Sequence, residues 1–532
     1  MITRGSHSLR FGAALEHTDA GFPETLFPNG IWTYNGFFTG SGMGDYLLGL
    51  PRNILTFSPF YPTLRHNMIG GWVADNWKVN SKLNISLGFR LDADSRWTDK
   101  YNRLVNYDLS APPTAVRVLS ASLPAGWNKT LLDTPAIDPA GRVGLAYQLR
   151  RGTVIRGGFG MFYQPIPQDP PVNLAVNAPY VAIANETFDF TTLPTFNRSN
   201  PLANAAVAGI GAEGLTRNYA DSYTEQWNLT VEQAFGPNNL LSVAYVGDTG
   251  MHLVTEYGAD PAPPGPGPIQ PRARFTNISS YTYWDTDRDS SFNGLQVKME
   301  RRASKNLTAT VAYGYGKSID DGSGTYVESY PDSFQDPSNP KASRGLSNFN
   351  VGQSLTFSYS YLLPLGAGQK LASGATGAAG KLVSGWELSG LTTVHGGFPY
   401  SANLPYDNLN DGVSASFPNR TCNPNNFAHA NRSAEVAEWF NTACFADPPQ
   451  YVYGNAGRDT IIAPGVVNWD FSLFKKTNIT ERVGVEFRAE FFNLFNRPDF
   501  GQPNTTLGPG FGVITSVSQA AREIQFGLKF SF

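Results

Sequence analysis

The stretch Val483-Gly484-Val485-Glu486-Phe487-Arg488-Ala489-Glu490-Phe491 alternates apolar and polar residues. Successive side chains on a strand point to opposite sides. One face therefore reads Val, Val, Phe, Ala, Phe. The other carries Gly484, Glu486, Arg488 and Glu490, with Arg482 just ahead of them. The last segment repeats the pattern: Ile524, Phe526, Leu528, Phe530 and Phe532 share one face, and Glu523, Gln525, Gly527, Lys529 and Ser531 the other. Strands oily on one side and polar on the other, with the last one closing on an aromatic, suit a closed barrel in an outer membrane.

The composition agrees. Hydrophobic residues are 41% of 532, yet no run of about 18 apolar residues occurs, which excludes transmembrane helices. Charged residues are 16%, below the roughly 25% of an average soluble domain. Aromatics reach 13%, and 54 glycines with 38 prolines favour turns over helices. A net charge of −3 without a basic stripe gives no nucleic-acid signal. The stretch from Met1 to Gly12 lacks the basic, apolar and small-residue regions of an export signal. It runs straight into an alternating segment at Leu9, Phe11, Ala13 and Leu15. The expectation is a chain that starts inside a longer protein.

Along the chain, Leu83, Ile85, Leu87, Phe89 and Leu91 alternate with Asn84, Ser86, Gly88, Arg90 and Asp92. His66 to Lys78 reads as the preceding strand, with alternation broken at Asp75 and Asn76, and Val79 to Lys82 as the turn. Paired strands follow at 142–149 with 153–163, 223–235 with 240–246, 292–301 with 307–315, 351–362 with 385–394, and 467–474 with 482–492. Ile31 to Phe38, after the turn-prone Pro28-Asn29-Gly30, reads as a strand, and Gly40 to Pro51 as a short helical or looped insert. Long polar stretches separate the pairs at 95–139, 164–221, 247–290 (with the Pro-rich Asp260 to Pro268), 316–349 and 395–466.

Short and long connections thus alternate, as short periplasmic turns and longer extracellular loops do in outer-membrane barrels. The one exception is Leu363 to Ser384, expected as an extended periplasmic turn. Strands of about 9–11 residues match a tilted bilayer crossing. The count is about 14–16 strands. In a closed barrel the apolar faces meet lipid. Arg482, Glu486, Arg488 and Glu490 then face the lumen, because an arginine at mid-membrane costs roughly 2–4 kcal/mol.

Several stretches resemble the Oar-like branch of TonB-dependent outer-membrane receptors, whose members carry a carboxypeptidase-regulatory-like domain. They are Trp72 to Val79, Leu83 to Arg90, Ile155 to Tyr163, Ser222 to Leu229, Val243 to Gly247, Asn293 to Val297, Gly316 to Asp321, Phe487 to Asn496 and the ending Ile524 to Phe530. They span nearly the whole chain. The resemblance implies a barrel of about 22 strands, plugged by an N-terminal domain and energised by TonB. No signal peptide, TonB box, plug or regulatory-like domain is read in this sequence. Residues 1–532 are therefore expected to be an incomplete portion of such a barrel, reaching the TonB complex only through a plug absent from this chain. Lipid and the barrel-assembly machinery are the expected partners, the latter reading Phe526, Phe530 and Phe532.

The candidate sites are few. Asp285-Thr-Asp287-Arg-Asp289 has the oxygen spacing of a calcium loop, but Ser290 stands where glycine belongs and Gln296 where a bidentate glutamate belongs. A solvated acidic loop is the stronger reading. Asp407 to Gly412 is similarly oxygen-rich. His7, His17, His66, His252, His395 and His429 show no metal-binding spacing, and neither a GxSxG elbow nor a phosphate-binding loop occurs. No catalytic residue and no cofactor is indicated. In an oxidising compartment Cys422 and Cys444 would pair and close their loop; the alternative is two unrelated thiols. Tyr281 to Trp284 and Trp439-Phe440 suit either ligand stacking or an aromatic girdle, with the girdle favoured near strands.

The leading expectation is a barrel for TonB-energised uptake of an unidentified ligand, not an enzyme. The alternatives are a passive, porin-like or structural barrel and a soluble multi-bladed β-protein. The unequal turns argue against the last.

Overall fold

A computed structural model describes residues 1–21, 30–57, 60–133, 137–181, 183–191, 211–258, 261–278, 280–304, 306–324, 334–412 and 415–532. Pro28, Asn29 and Asp260 of the expected turns lie outside them.

Alternation produces the strands. Long strands follow in chain order: β1 (His7–Gly21), β2 (Thr63–Lys78), β3 (Leu83–Asp94), β4 (Ile137–Arg150), β5 (Thr153–Gln164), β6 (Ser222–Phe235) and β7 (Asn239–Gly258). The series continues with β8 (Ser280–Ser304), β9 (Leu307–Asp320), β10 (Gln353–Leu362), β11 (Trp386–His395), β12 (Val466–Asn478), β13 (Gly484–Phe492) and β14 (Glu523–Ser531). Each pairs antiparallel with the next in a continuous meander. Among the described residues the sheet has 18 strands in all, including four short additions. One of these, Gly211–Leu215, runs parallel to Ser280–Trp284 of β8. No ladder among the described residues joins β14 to β1.

Register keeps one face apolar across the sheet. Leu87, Val143, Phe159 and Trp227 are successive partners from β3 to β6. Val231, Val243, Val297, Tyr313, Leu355, Val394 and Val467 continue the row from β6 to β12. This face is bare in the isolated chain: Phe11, Ile69, Leu229 and Phe526 are each more than half exposed. So wide an apolar belt requires an apolar surrounding. The opposite face carries ion pairs, such as Arg156 with Glu232 at 3.1 Å and Glu486 with Arg488 at 2.5 Å. Asp75, where alternation breaks, does sit on the apolar face. It is satisfied by His7 Nδ1 at 2.6 Å, and His7 stacks on Trp77.

Connections are short after even-numbered strands and long after odd-numbered ones. The tight turn between β4 and β5 uses Gly152 at φ 84°, a left-handed conformation that glycine adopts without strain. The exception between β10 and β11 contains the helix Gly377–Val383, and Lys475 of β12 donates to its Lys381 and Ser384 carbonyls at 2.7 and 2.6 Å.

Three expectations need correction. The strand expected over Ile31 to Phe38 is only Ile31–Thr33, because the Asn35 side chain accepts from Phe37 N and Gly36 turns the chain at φ 86°. The loop expected over 247–290 is about half sheet, since β7 and β8 continue their pairing as far as Gly258 and Thr282 through register shifts at Gly250, Leu253 and Thr255. Arg482 lies in the turn before β13 and not on the strand itself.

The buried core sits in the long connections. One cluster joins Leu64 at the start of β2 to Trp97, Leu104 and Leu131 from the connection after β3 and to Leu174 and Tyr219 from the one after β5. A second joins Phe417, Phe440, Phe445 and Ile461 from the connection after β11, with Phe511 from the one after β13. A third packs Tyr107, Phe275 and Tyr281. The long connections are therefore a folded layer on one end of the sheet.

Candidate functional site

That layer is where polar side chains converge. Its largest buried side chains include Arg288, only 1% exposed, which reaches the Pro337 carbonyl at 3.2 Å and lies 4.5 Å over the Phe334 ring. Arg458 is also buried. It pairs with Asp320, donates to the Ser343 carbonyl and to the Ser323 hydroxyl at 3.0 Å each, and lies 3.6 Å from Asp459. Arg96 pairs with the buried Asp221, whose carboxyl burial pushes upward. The sequence reading missed these three arginines. Each lies within two residues of an aspartate in a polar stretch (Asp94, Asp287 and Asp459), a short-range signal that was present.

Asp285, Asp287 and Asp289 fall on β8 and not in a loop, which corrects the calcium-loop geometry; Asp287 and Asp289 are exposed on that strand and Asp285 is half-buried. Tyr257 OH donates to Asp285 at 3.3 Å, and Arg288 meets Asp287 at 3.3 Å. Burial raises the pKa of both carboxyls. Among the described residues no group of three His, Cys, Asp or Glu side chains is placed to hold a metal ion. Asp407 instead organises its own turn, accepting from Leu409 N at 3.0 Å and Asn410 N at 2.8 Å. Asn410 then ties that turn to the Gly265 and Gly267 carbonyls.

Tyr281 and Trp284 are each 4% exposed, and Phe440 is 1% exposed. They are packing residues of the loop layer, neither a girdle nor a stacking platform. Trp439 stacks on His429 and donates to the Ile462 carbonyl at 2.7 Å. Cys422 and Cys444 form a disulfide with Cα atoms 5.1 Å apart. Glu486, Arg488 and Glu490 share the polar face of β13, where Lys476 of β12 adds a second contact to Glu486 at 3.7 Å. Phe526 and Phe530 stand exposed on the apolar face of β14, and Phe532 follows its last residue.

Beside the disulfide lies a polar cavity of about 700 Å³, lined by Arg344–Leu346, 420–425 and 455–462. Asn425 joins two of its walls, donating to the Thr460 carbonyl at 2.9 Å and accepting from Ile462 N at 2.8 Å. Arg458 fastens the 455–462 wall to the end of β9.

A two-faced antiparallel meander with short turns at one end and folded loops at the other defines a transmembrane β-barrel protein of the Gram-negative outer membrane. Residues 1–525 match the model of the outer membrane beta barrel domain, and the chain belongs to that family. Among solved structures, the outer membrane transporter YddB from Escherichia coli is similar with a TM-score of 0.52 at 11% identity, over 100% of this chain and 52% of that one. The siderophore receptor PiuA from Acinetobacter baumannii gives 0.47 at 10%, over 100% and 54%. The FrpB iron transporter from Neisseria meningitidis gives 0.45 at 9%, over 100% and 53%. The chain spans about half the length of these proteins. No curated protein sequence matches it.

Proposed function

We propose that the protein is the barrel portion of an Oar-like, TonB-dependent receptor that captures a small ligand outside the cell and takes it up. The observation that carries this reading is the folded loop layer with its braced polar cavity. A simple pore needs no such layer. The sequence stretches shared with Oar-like receptors support it, as does the fold-level likeness to the transporter YddB. In this reading residues 1–532 form one partial barrel. Glu486, Arg488 and Glu490 face its lumen, with Arg482 at the periplasmic mouth. Phe526, Phe530 and Phe532 are read by the barrel-assembly machinery. TonB acts through a plug region of the receptor. The role is transport and not catalysis.

The test is the receptor in its native outer membrane, with and without TonB. TonB-dependent uptake that is lost when the loop layer is deleted is the expected result. A steady, ungated conductance in planar bilayers, with TonB-independent uptake, would overturn it in favour of a passive pore.

A further inference from the structure

We propose that the cavity beside the disulfide binds a carboxylate-bearing sugar, a uronic acid unit, and that Arg420 holds its carboxylate. This deepens the receptor reading and rests on it.

The volume of about 700 Å³ lies within the roughly 300–1,000 Å³ of small-molecule sites. Its walls are fixed before any ligand arrives. The disulfide clamps one wall, Arg458 bolts another to β9, and Asn425 ties the two together. Such bracing lowers the ordering cost of binding.

Three arginines line the cavity, but two are committed. Arg458 serves Asp320 and Asp459, and Arg344 meets Asp321 at 3.0 Å. Arg420 makes no ion pair among the described residues, while its backbone N–H is held by Asn455 Oδ1 at 2.6 Å. A guanidinium on an anchored backbone matches a carboxylate bidentately.

The rest of the lining suits hydroxyl groups. Asn423 and Asn455 spend their amide oxygens on backbone N–H groups, and among the described residues neither amide nitrogen makes a hydrogen bond to another residue. The Thr460 hydroxyl is buried with no partner among the described residues. Hydroxyls and amides both donate and accept, which is the complement a sugar ring presents. Among the described residues no aromatic side chain lines the cavity, so flat ligands held by stacking are poorly matched. Its apolar contributions are too few to seat the side chains of a peptide.

The experiment titrates the detergent-purified full chain by calorimetry with trigalacturonate, using galactotriose as the neutral probe and a diaspartyl peptide as the acidic non-sugar probe. Trigalacturonate is expected to bind at least tenfold more tightly than either. Arg420→Gln should weaken it by about tenfold or more, the typical worth of a charged hydrogen bond. Asn423→Asp, which keeps the acceptor used by Asn425, should do the same by repulsion. Unchanged heat-modifiable migration on gels shows that both variants are folded, and if Arg420→Gln misfolds, Asn423→Asp decides.

Equal binding of galactotriose, tighter binding of the peptide, no binding of trigalacturonate, or undiminished binding in the folded variants would each overturn the assignment. Binding in detergent needs no TonB. A failure here therefore leaves the uptake reading standing, whereas TonB-independent conductance removes the uptake reading and is told apart by its own readout.

Discussion

Arg458 and Glu213 carry the residue-scale consequences of burying charge in the loop layer. Arg458 and Asp320 are almost wholly enclosed, with side chains 3% and 2% exposed. Removing one partner of a buried pair strands the other, at a cost of about 3–5 kcal/mol. Arg458→Leu is expected to destabilise the 397–465 connection by that order, read as lost amide protection there while the sheet stays protected. Glu213 faces the opposite situation. Burial, and then the neighbouring Glu256, push its carboxyl up to about 8. An unfolded glutamate titrates near about 4.3. The folded form therefore holds the proton more tightly. Its contribution is complete below about pH 4.3 and is lost as pH rises towards 8. Protection of the Gly211–Leu215 ladder should fall across that window, and Glu213→Gln should flatten the profile.

Elements differ in how plainly the sequence announces them. β3, β13 and β14 alternate strictly, because one face meets lipid and the other does not. The outer halves of β7 and β8 are hidden. There the sheet pairs Thr255 with Asp285 and Tyr257 with Tyr283, so both faces mix polar and aromatic residues and no period emerges. The loop cores are hidden too. Leu104 comes from the connection after β3 and Leu174 and Tyr219 from distant parts of the one after β5, and no local spacing links them. Of the cavity, only Cys422 could be singled out in advance, since its other walls meet through tertiary contacts. The disulfide spans 22 positions, and closing a loop of that size restricts the unfolded chain by about 3 kcal/mol. Replacing both cysteines with serine should make the 397–465 connection cleavable by trypsin at Arg420 and Arg432, with the strands still resistant.

For the whole molecule, the rhythm of connections proved more informative than any single motif. Short after even strands and long after odd ones is a statement about two ends and two environments, and it places the folded layer and its cavity on one side. It also fixes which substitutions the belt tolerates. Val231→Arg, in the middle of the apolar row, should cost roughly 2–4 kcal/mol and lower the yield of assembled barrel. Asn228→Arg, on the opposite face of the same strand, should assemble normally. Heat-modifiable migration on gels compares the two.

The length of β8 has one further consequence. It runs 25 residues, and about ten cross the bilayer, which leaves about 50 Å of strand path beyond the lipid at roughly 3.4 Å per residue. With β7 it forms a mast. Strand that far beyond the lipid is open to whatever approaches the cell from outside, such as an antibody or a phage tail fibre. Changes there are expected to alter who recognises the cell while leaving the strands in the bilayer as they are.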